Sequence, residues 1–537
     1  MIEAVCLAYR LILCRGENVT FSICSKSARG KRKGFVFMKL DVSLKGTEKV
    51  DFWNNVDFCV GTGRAGLALT EEYLKELSFV QDIIGFKHIR GHGLFSDDMA
   101  IYQKRKNWFT KEETIEYNFT YLDRVMDAYL ERNIVPFLEL GFMPKEMASG
   151  DNTIFYWKGN TTPPKDYKDW TELVTVTLSH LVKRYGEQVY SWPIEVWNEP
   201  NLPGFWKDAN MEEYFRLFKE TFLAIKKLDP RFRVGGPAIC GVRDKEWMEA
   251  FFSFCKKEKL KVDFATRHHY TTEMPKYDGH YTYQQLSDPE LGFANLQTSR
   301  DVIDSYKEFK GLEMHITEFN TSYTPTNPIH DTNENAAYLA YQLERLGETS
   351  YSYSYWTFGD VFEENGVPFS LFHGGFGLVA HGCIPKPTFW TFAFYKRLQD
   401  HATECVYKGK NAVIVKNANG GYEGVLWNMS DAESLIASLK LPAEAKEYTL
   451  ISEVVDEVTC NPRKVWHDLG EPRNPSKEQV ELIRKFAYPF CESDIVKKSR
   501  GGKITVEEAV RPHGVVYFSV NPREFEGDRG FDYERRE

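Results

Sequence analysis

Residues 193–201 read PIEVWNEPN. A β-forming run from Ile194 to Trp197, apolar but for Glu195, leads directly into an amide, a carboxylate and a chain-stopping proline. The run has the length and composition of a buried strand, so Glu199 is a charged group at the end of an apolar element. Either that carboxylate makes an ordinary strand-end hydrogen bond, or its awkward surroundings serve a chemical purpose.

The sequence on either side identifies the kind of strand. FCVGTG (58–63), HIRGHG (88–93) and VPFLEL (135–140) precede it, and FRVGGPA (232–238), VDFATRHHY (262–270), EMHITEFN (313–320) and YSYSYWTFGD (351–360) follow, giving eight strands in all. Helical patterns fill the gaps. In TEEYLKELSFVQDIIG (70–85) Thr70 can cap, Leu74, Leu77 and Ile84 fall near one face, and Gly85 can close the helix. In NMEEYFRLFKETFLAIKKLDP (210–230) Asn210 caps, Tyr214, Phe218, Phe222 and Ile225 form a stripe, and Pro230 stops it. Eight strand–helix units predict an α/β chain with a (β/α)8 TIM barrel over residues 51–395.

After Pro387 the pattern changes. NAVIVKNANGGYEGVLWNMS reads as two strands around an Asn-Gly-Gly turn, and KEYTLISEVVD, GKITVEEAV and GVVYFSVNP add more. SKEQVELIRKFA interrupts them as one helix. Residues 396–537 are therefore expected to form an accessory antiparallel β-sandwich with a helical insert near 474–487, and residues 38–50 to lend it a strand. Residues 1–37, with three cysteines and the basic cluster KSARGKRKG ahead of Met38, read as a disordered or artificial extension rather than a targeting or nucleic-acid arm.

Bulk properties exclude several classes. With 537 residues, two or three domains are expected. A net charge of −9 argues against nucleic acid or an acidic membrane as partner. No apolar run approaches the roughly 18 residues of a membrane span, and the N-terminus is a poor secretory signal, because Glu3 and Arg10 interrupt it. The ten cysteines lack CxxC or metal-ligand spacing and read as free thiols in a reducing compartment. The sequon Asn320-Thr321-Ser322 sits where a glycan would obstruct the centre argued below, so the cytoplasm is favoured.

GTGRAG (61–66) matches the dinucleotide fingerprint GxGxxG. The helix starts near Thr70, too late for its amides to meet a pyrophosphate, and the acidic residue about twenty positions on, Asp82, falls inside that helix. A stronger signal lies at the C-terminal strand ends, which form the mouth of such a barrel. They carry His92, Glu139, Asn198 with Glu199, His268 with Tyr270, Glu318 with Asn320, and Trp356. Glutamates ending the fourth and seventh strands make the carboxylate pair that glycoside hydrolysis needs: one to protonate the leaving oxygen, one to attack the anomeric carbon or activate water. Burial beside Trp197 and repulsion from the second carboxylate would raise the acid's pKa toward roughly 6–7. A metal reading of His268-His269 fails, because adjacent strand residues point to opposite faces.

These motifs resemble a known family. WNEPN and ITEFN look like the acid/base and nucleophile motifs of clan A retaining glycosidases. GTGRAGLAL, IRGHGLFSDD, GFMPKEMASG, FYWKGN, RHHYT, HITEFNTSY, YWTFGDVFEE and HGGFGL, in that order, resemble glycoside hydrolase family 39 and its bacterial β-xylosidases from about Met38 onward. The resemblance implies Glu199 as general acid/base and Glu318 as nucleophile, with their carboxylates about 5–5.5 Å apart. It implies that Asn198 holds the sugar 2-hydroxyl, Tyr270 orients Glu318, and His268 and His92 bind ring hydroxyls. It makes Glu363 and Glu364 hydroxyl acceptors and Trp356 the floor under the sugar. Tyr323 joins the binding residues, and Phe155, with Tyr156 and Trp157, is a candidate aromatic wall that core packing would explain equally well. The expectation is a cytoplasmic exo-β-xylosidase acting on xylo-oligosaccharides, a homo-oligomer (tetramer by resemblance) needing no cofactor or metal. The alternatives are an α-L-iduronidase-like glycosidase, a non-catalytic sugar-binding protein, and a nicotinamide-dependent reductase resting only on the glycine run.

Overall fold

A computed structural model describes residues 37–536. Eight parallel strands close into a barrel: β1 (Cys59–Thr62), β2 (His88–Gly91), β3 (Val135–Leu140), β4 (Pro193–Val196), β5 (Arg233–Ile239), β6 (Phe264–Tyr270), β7 (Met314–Asn320) and β8 (Ser352–Tyr355). Each pairs with its neighbour in sequence, and β8 returns to β1 through Tyr355 and Val60. A helix follows every strand: α1 (Glu71–Ile83), α2 (Thr120–Leu130), α3 (Tyr167–Tyr185), α4 (Met211–Leu228), α5 (Asp244–Glu258), α6 (Pro289–Ser305), α7 (Asn333–Arg345) and α8 (Pro387–His401).

Local chemistry sets these boundaries. The Asn210 side chain accepts the Glu213 amide and starts α4, whose Tyr214, Phe218, Phe222 and Ile225 are buried. Gly85 follows α1 with φ of 70°, a conformation only glycine takes without cost. Thr70 stands at the head of α1 but does not cap it, because its hydroxyl donates to the Leu67 carbonyl at 2.7 Å. Glu71 and Glu72 supply negative charge to that first turn instead.

Period-two alternation builds the barrel interior in layers. Phe58, Cys59, Phe137 and Phe264 plug its floor, with the His315 ring against Phe58, Phe137 and Phe264. Two residues further along the strands stand Arg90, Glu139 and Thr317, and above them His92, His268 and Trp356. In β8 the serines face inward, Ser352 meeting His315 Nδ1 at 2.6 Å, while Tyr353 and Tyr355 pack outward against Phe319 and Phe392. Sequence order thus fixes depth in the barrel.

The C-terminal region is two stacked sheets. Phe37–Ser43 pairs in parallel with Ser434–Pro442, which pairs antiparallel with Lys503–Val510. The six-stranded sheet is antiparallel in the order Ala402–Gly409, Ala412–Asn417, Tyr422–Trp427, Val515–Pro522, Glu447–Val455, Phe490–Lys497. It starts where α8 ends, so α8 runs straight across the 395/396 position. The insert holds two helices where one was expected. α9 (Pro462–Asp468) is capped by Asn461 but is too short to show an apolar stripe, and α10 (Lys477–Lys485) opens on a Ser476/Gln479 capping box. The extension read at residues 1–37 lies outside the described residues up to Val36. Among the described residues no helix is long and apolar enough to cross a membrane.

Candidate active site

Arg90 on β2 is a charged group deep in the barrel, wholly buried. Its Nε donates to Glu195 at 2.8 Å, Nη1 to Glu318 at 2.5 Å, and Nη2 to the Asn198 side-chain oxygen at 2.8 Å, with Glu139 at 2.9 Å. Thr317 completes the set by donating to Glu195 at 2.8 Å. Burial works against the guanidinium charge, and the three carboxylates override it, so its pKa is raised further. One planar fork thereby aligns residues from β2, β3, β4 and β7.

Strand β4 ends at Val196, and the backbone then turns. Trp197 (φ 74°) and Glu199 (φ 42°) take left-handed conformations that cost a non-glycine residue energy. The Glu199 amide is tied to the Ala238 carbonyl at 2.9 Å. This break in alternation lets neighbouring side chains serve one cavity: Asn198 meets Arg90, and Glu199 Oε1 lies 2.8 Å from His268 Nδ1. The indole of Trp197 donates to the Phe205 carbonyl and packs among Phe142, Trp170 and Trp206.

Glu318, on β7, is held from both sides. Arg90 donates to Oε1 and Tyr270 Oη to Oε2 at 2.8 Å, while His268 Nδ1 stands 3.4 Å from Oε2. A carboxylate oxygen of Glu199, one of Glu318 and a nitrogen of His268 all lie within 4.8 Å of one another. The two carboxylates therefore face one small space from opposite strands. His269 points the other way, to Gln342 at 3.1 Å.

Their electrostatic settings differ. Burial raises the Glu199 carboxyl to about 7 against the opposing charges of His92 and Arg90, and Glu139, not Glu318, is the carboxylate that adds repulsion. Burial lowers His268 to about 4, so its ring is neutral, and its buried Nε2 has no partner among the described residues. Burial also opposes charge on His92, but Glu139, 2.7 Å from Nδ1, and then Glu318 raise its pKa overall. Glu364 is pushed to about 8 by burial and by Glu318, Glu199 and Glu139.

The remaining sequence candidates divide. Trp356 is buried against His92, with ring centres 4.7 Å apart, and lies 5.8 Å from the Arg90 guanidinium carbon. Phe155 stacks on His92 at 5.6 Å and Trp157 on Phe155 at 5.3 Å, whereas Tyr156 is exposed. Glu364 comes within 3.7 Å of His92 Nε2. Glu363 does not join the cluster, since Arg64 holds it at 2.8 Å. Tyr323 is half-exposed and meets Tyr270 edge-on at 6.2 Å. Arg90, Glu195 and Thr317 are the members that strand-end reasoning left out; it named Glu139 as a strand end but gave it no role. Period two held the signal, because once His92 faces the mouth, Arg90 must lie beneath it.

The spacing of Glu199, His268 and Glu318 would span a cation, but the Arg90 charge already rests on Glu318. The donor set is better matched to a sugar, with a buried carboxylate pair, unpaired imidazole nitrogen and aromatic floor at a barrel mouth. A glycoside hydrolase is the class this fold and site define, and comparison with known proteins agrees. The model of glycosyl hydrolases family 39 matches residues 37–504, and the chain belongs to that family. It is 49% identical over 452 residues to a β-xylosidase of Geobacillus stearothermophilus, covering 83% of this chain and 88% of that protein. The crystal structure of a family 39 enzyme from Xanthomonas axonopodis pv. citri superposes with a TM-score of 0.80 at 28% identity, covering 93% of this chain and all of that one. A β-xylosidase from Caulobacter crescentus, described as monomeric, superposes at 0.79 with 30% identity over 90% of this chain and 99% of that one.

Proposed function

We propose that this chain is a retaining exo-β-1,4-xylosidase that releases xylose from the non-reducing end of xylo-oligosaccharides. The observation that carries the reading is the Glu199–Glu318 pair: two carboxylates within 4.8 Å, one with its pKa raised to about 7 and the other held by Arg90 and Tyr270. That proximity suits direct attack, since an inverting pair stands roughly 6.5–9.5 Å apart to admit water. Glu318 attacks the anomeric carbon while Glu199 protonates the departing oxygen. Glu199 then takes a proton from water, which displaces Glu318 and frees β-xylose.

Asn198, oriented by Arg90, receives the 2-hydroxyl, an interaction that strengthens in the oxocarbenium-like transition state. His268 Nε2, His92 and Glu364 take the other hydroxyls, Trp356 lies under the ring, and Phe155 and Tyr323 bound the cavity. Exo action is supported by the loop after β3, whose Tyr156 amide donates to the Glu364 carbonyl at 2.7 Å and closes that side of the mouth. A uronate-specific, iduronidase-like reading is disfavoured, because Glu364 would face the uronate and Arg90 is already engaged by three carboxylates. The reading extends to a cytoplasmic homo-tetramer. Among the described residues all seven cysteines are free, and the sequon Asn320 is buried with its amide bonded to the Trp356 carbonyl. Sedimentation velocity tests the assembly.

A panel of nitrophenyl glycosides with proton NMR of the first-formed sugar tests the activity. Hydrolysis of the β-xyloside with β-xylose appearing first is the expected result; a preferred uronide, or α-xylose, overturns it. Glu318→Ala should abolish turnover. Glu199→Ala should cost about 10²–10⁴-fold on xylobiose and far less on a substrate with a good leaving group.

A further inference from the structure

Away from the mouth, α1 carries a second group of ligand-bearing side chains. Glu72 and Glu76 lie one turn apart on its face toward the hairpin that follows β8, formed by Val379–Ala380 and Ile384–Pro385. His381 sits at the tip of that hairpin. Its Nδ1 is 3.3 Å from Glu72 Oε1 and 3.7 Å from Glu76 Oε1, and one ligand atom from each of the three residues falls within a 4.8 Å span.

Glu76 makes this more than an acidic cluster. It is fully buried, and among the described residues neither carboxylate oxygen accepts a hydrogen bond, the Val361 amide approaching without meeting the geometry of one. A buried carboxylate is costly unless it is protonated, hydrogen-bonded or met by a positive charge. Room for it is built in, since a Cβ on Gly359 would come within 2.5 Å of Glu76 Oε2. Burial also pushes its carboxyl up to about 8, although the neighbouring His381 works against that shift. Glu72 and His381 remain partly open to solvent, which gives an ion a way in.

We propose that Glu72, Glu76 and His381 bind a divalent first-row cation, Zn2+ being the best match to two carboxylates and one imidazole with a position left for water. The ion would bridge the first helix of the barrel to the segment after its last strand. That is the thinnest part of the closure, since β8 and β1 share a single register pair, Tyr355 with Val60. The segment it would fix leads from the Glu363–Glu364 loop to α8. This role is structural and independent of the sugar chemistry.

The test uses the full chain without a histidine tag, stripped with chelator and titrated with ZnCl2 by calorimetry alongside thermal melts. One saturable equivalent and a raised melting temperature are expected. Glu76→Gln and His381→Ala should each weaken binding by about tenfold or more and remove the thermal shift, while Glu318→Gln keeps both. Glu72→Gln, at an exposed side chain, serves the same purpose if a buried substitution fails to fold. Absence of saturable binding overturns the proposal. So does binding that survives all three substitutions, or that Glu318→Gln removes, which would put the ion at the mouth.

Discussion

Glu199 and Glu318 are the same residue type under opposite instructions. Glu318 is met by two donors, Arg90 and Tyr270, which fix both of its oxygens in place. Glu199 is met by a neutral imidazole in a desolvated turn, which favours the acid. With its pKa at about 7, Glu199 is protonated below that value and loses its proton above it. Cleavage of xylobiose should therefore fall as pH rises through about 7 in a kcat/KM profile. The same limb should flatten for a dinitrophenyl xyloside, whose leaving group needs no proton; an equally steep limb would remove Glu199 from the acid role. At this scale the two carboxylates were legible because polar residues ending apolar strands stand out. Arg90 and Glu195 were not, because a charge inside a strand makes sense only when partners from three other strands converge on it. Nor could sequence separate Glu363 from Glu364, since which of two adjacent loop residues faces the cavity was decided by Arg64.

The glycine run after β1 shows what an element needs from its neighbours. GTGRAG imitates a phosphate loop, but its glycines answer to side chains. A Cβ at Gly61 would come within 2.4 Å of Trp356 Cε3, and one at Gly63 within 3.0 Å of Phe362. The run is bare so that the last strand's tryptophan can lie across the first strand, and its Arg64 pairs with Asp98 and Glu363. Gly61→Ala should therefore displace Trp356, costing about 1–3 kcal/mol of stability through overpacking and raising KM for xylosides. An unchanged KM beside the stability loss, measured by melts and steady-state kinetics, would mean that Trp356 does not touch the sugar. The eight strands and their helices were readable from periodicity. The meaning of these glycines was not, because it depends on a residue almost 300 positions away.

Across the whole molecule, the central strands of the six-stranded sheet, Ala412–Asn417, Tyr422–Trp427 and Val515–Pro522, are buried on both faces. In Ala412–Asn417, Ala412 and Ile414 face the interior of the sandwich, while Val413 and Val415 join the same apolar core as the barrel helices. Trp427, Val455 and Tyr517 do likewise, with Trp427 near Tyr341 of α7 and Tyr517 stacked on Phe394 of α8 at 5.4 Å. An unbroken apolar run such as AVIV is the sequence mark of such a strand. What lies against its second face is tertiary information that no local pattern holds. Because barrel and sandwich share this core, neither can expose its side of the contact without losing the other's packing. Trp427→Ala should cost about 3–5 kcal/mol and lower the melting temperature of a single calorimetric transition, with activity per folded molecule unchanged at low temperature. Two resolved transitions, with only the weaker one shifted, would show that the sandwich unfolds on its own and that the shared core does not couple it to the catalytic barrel.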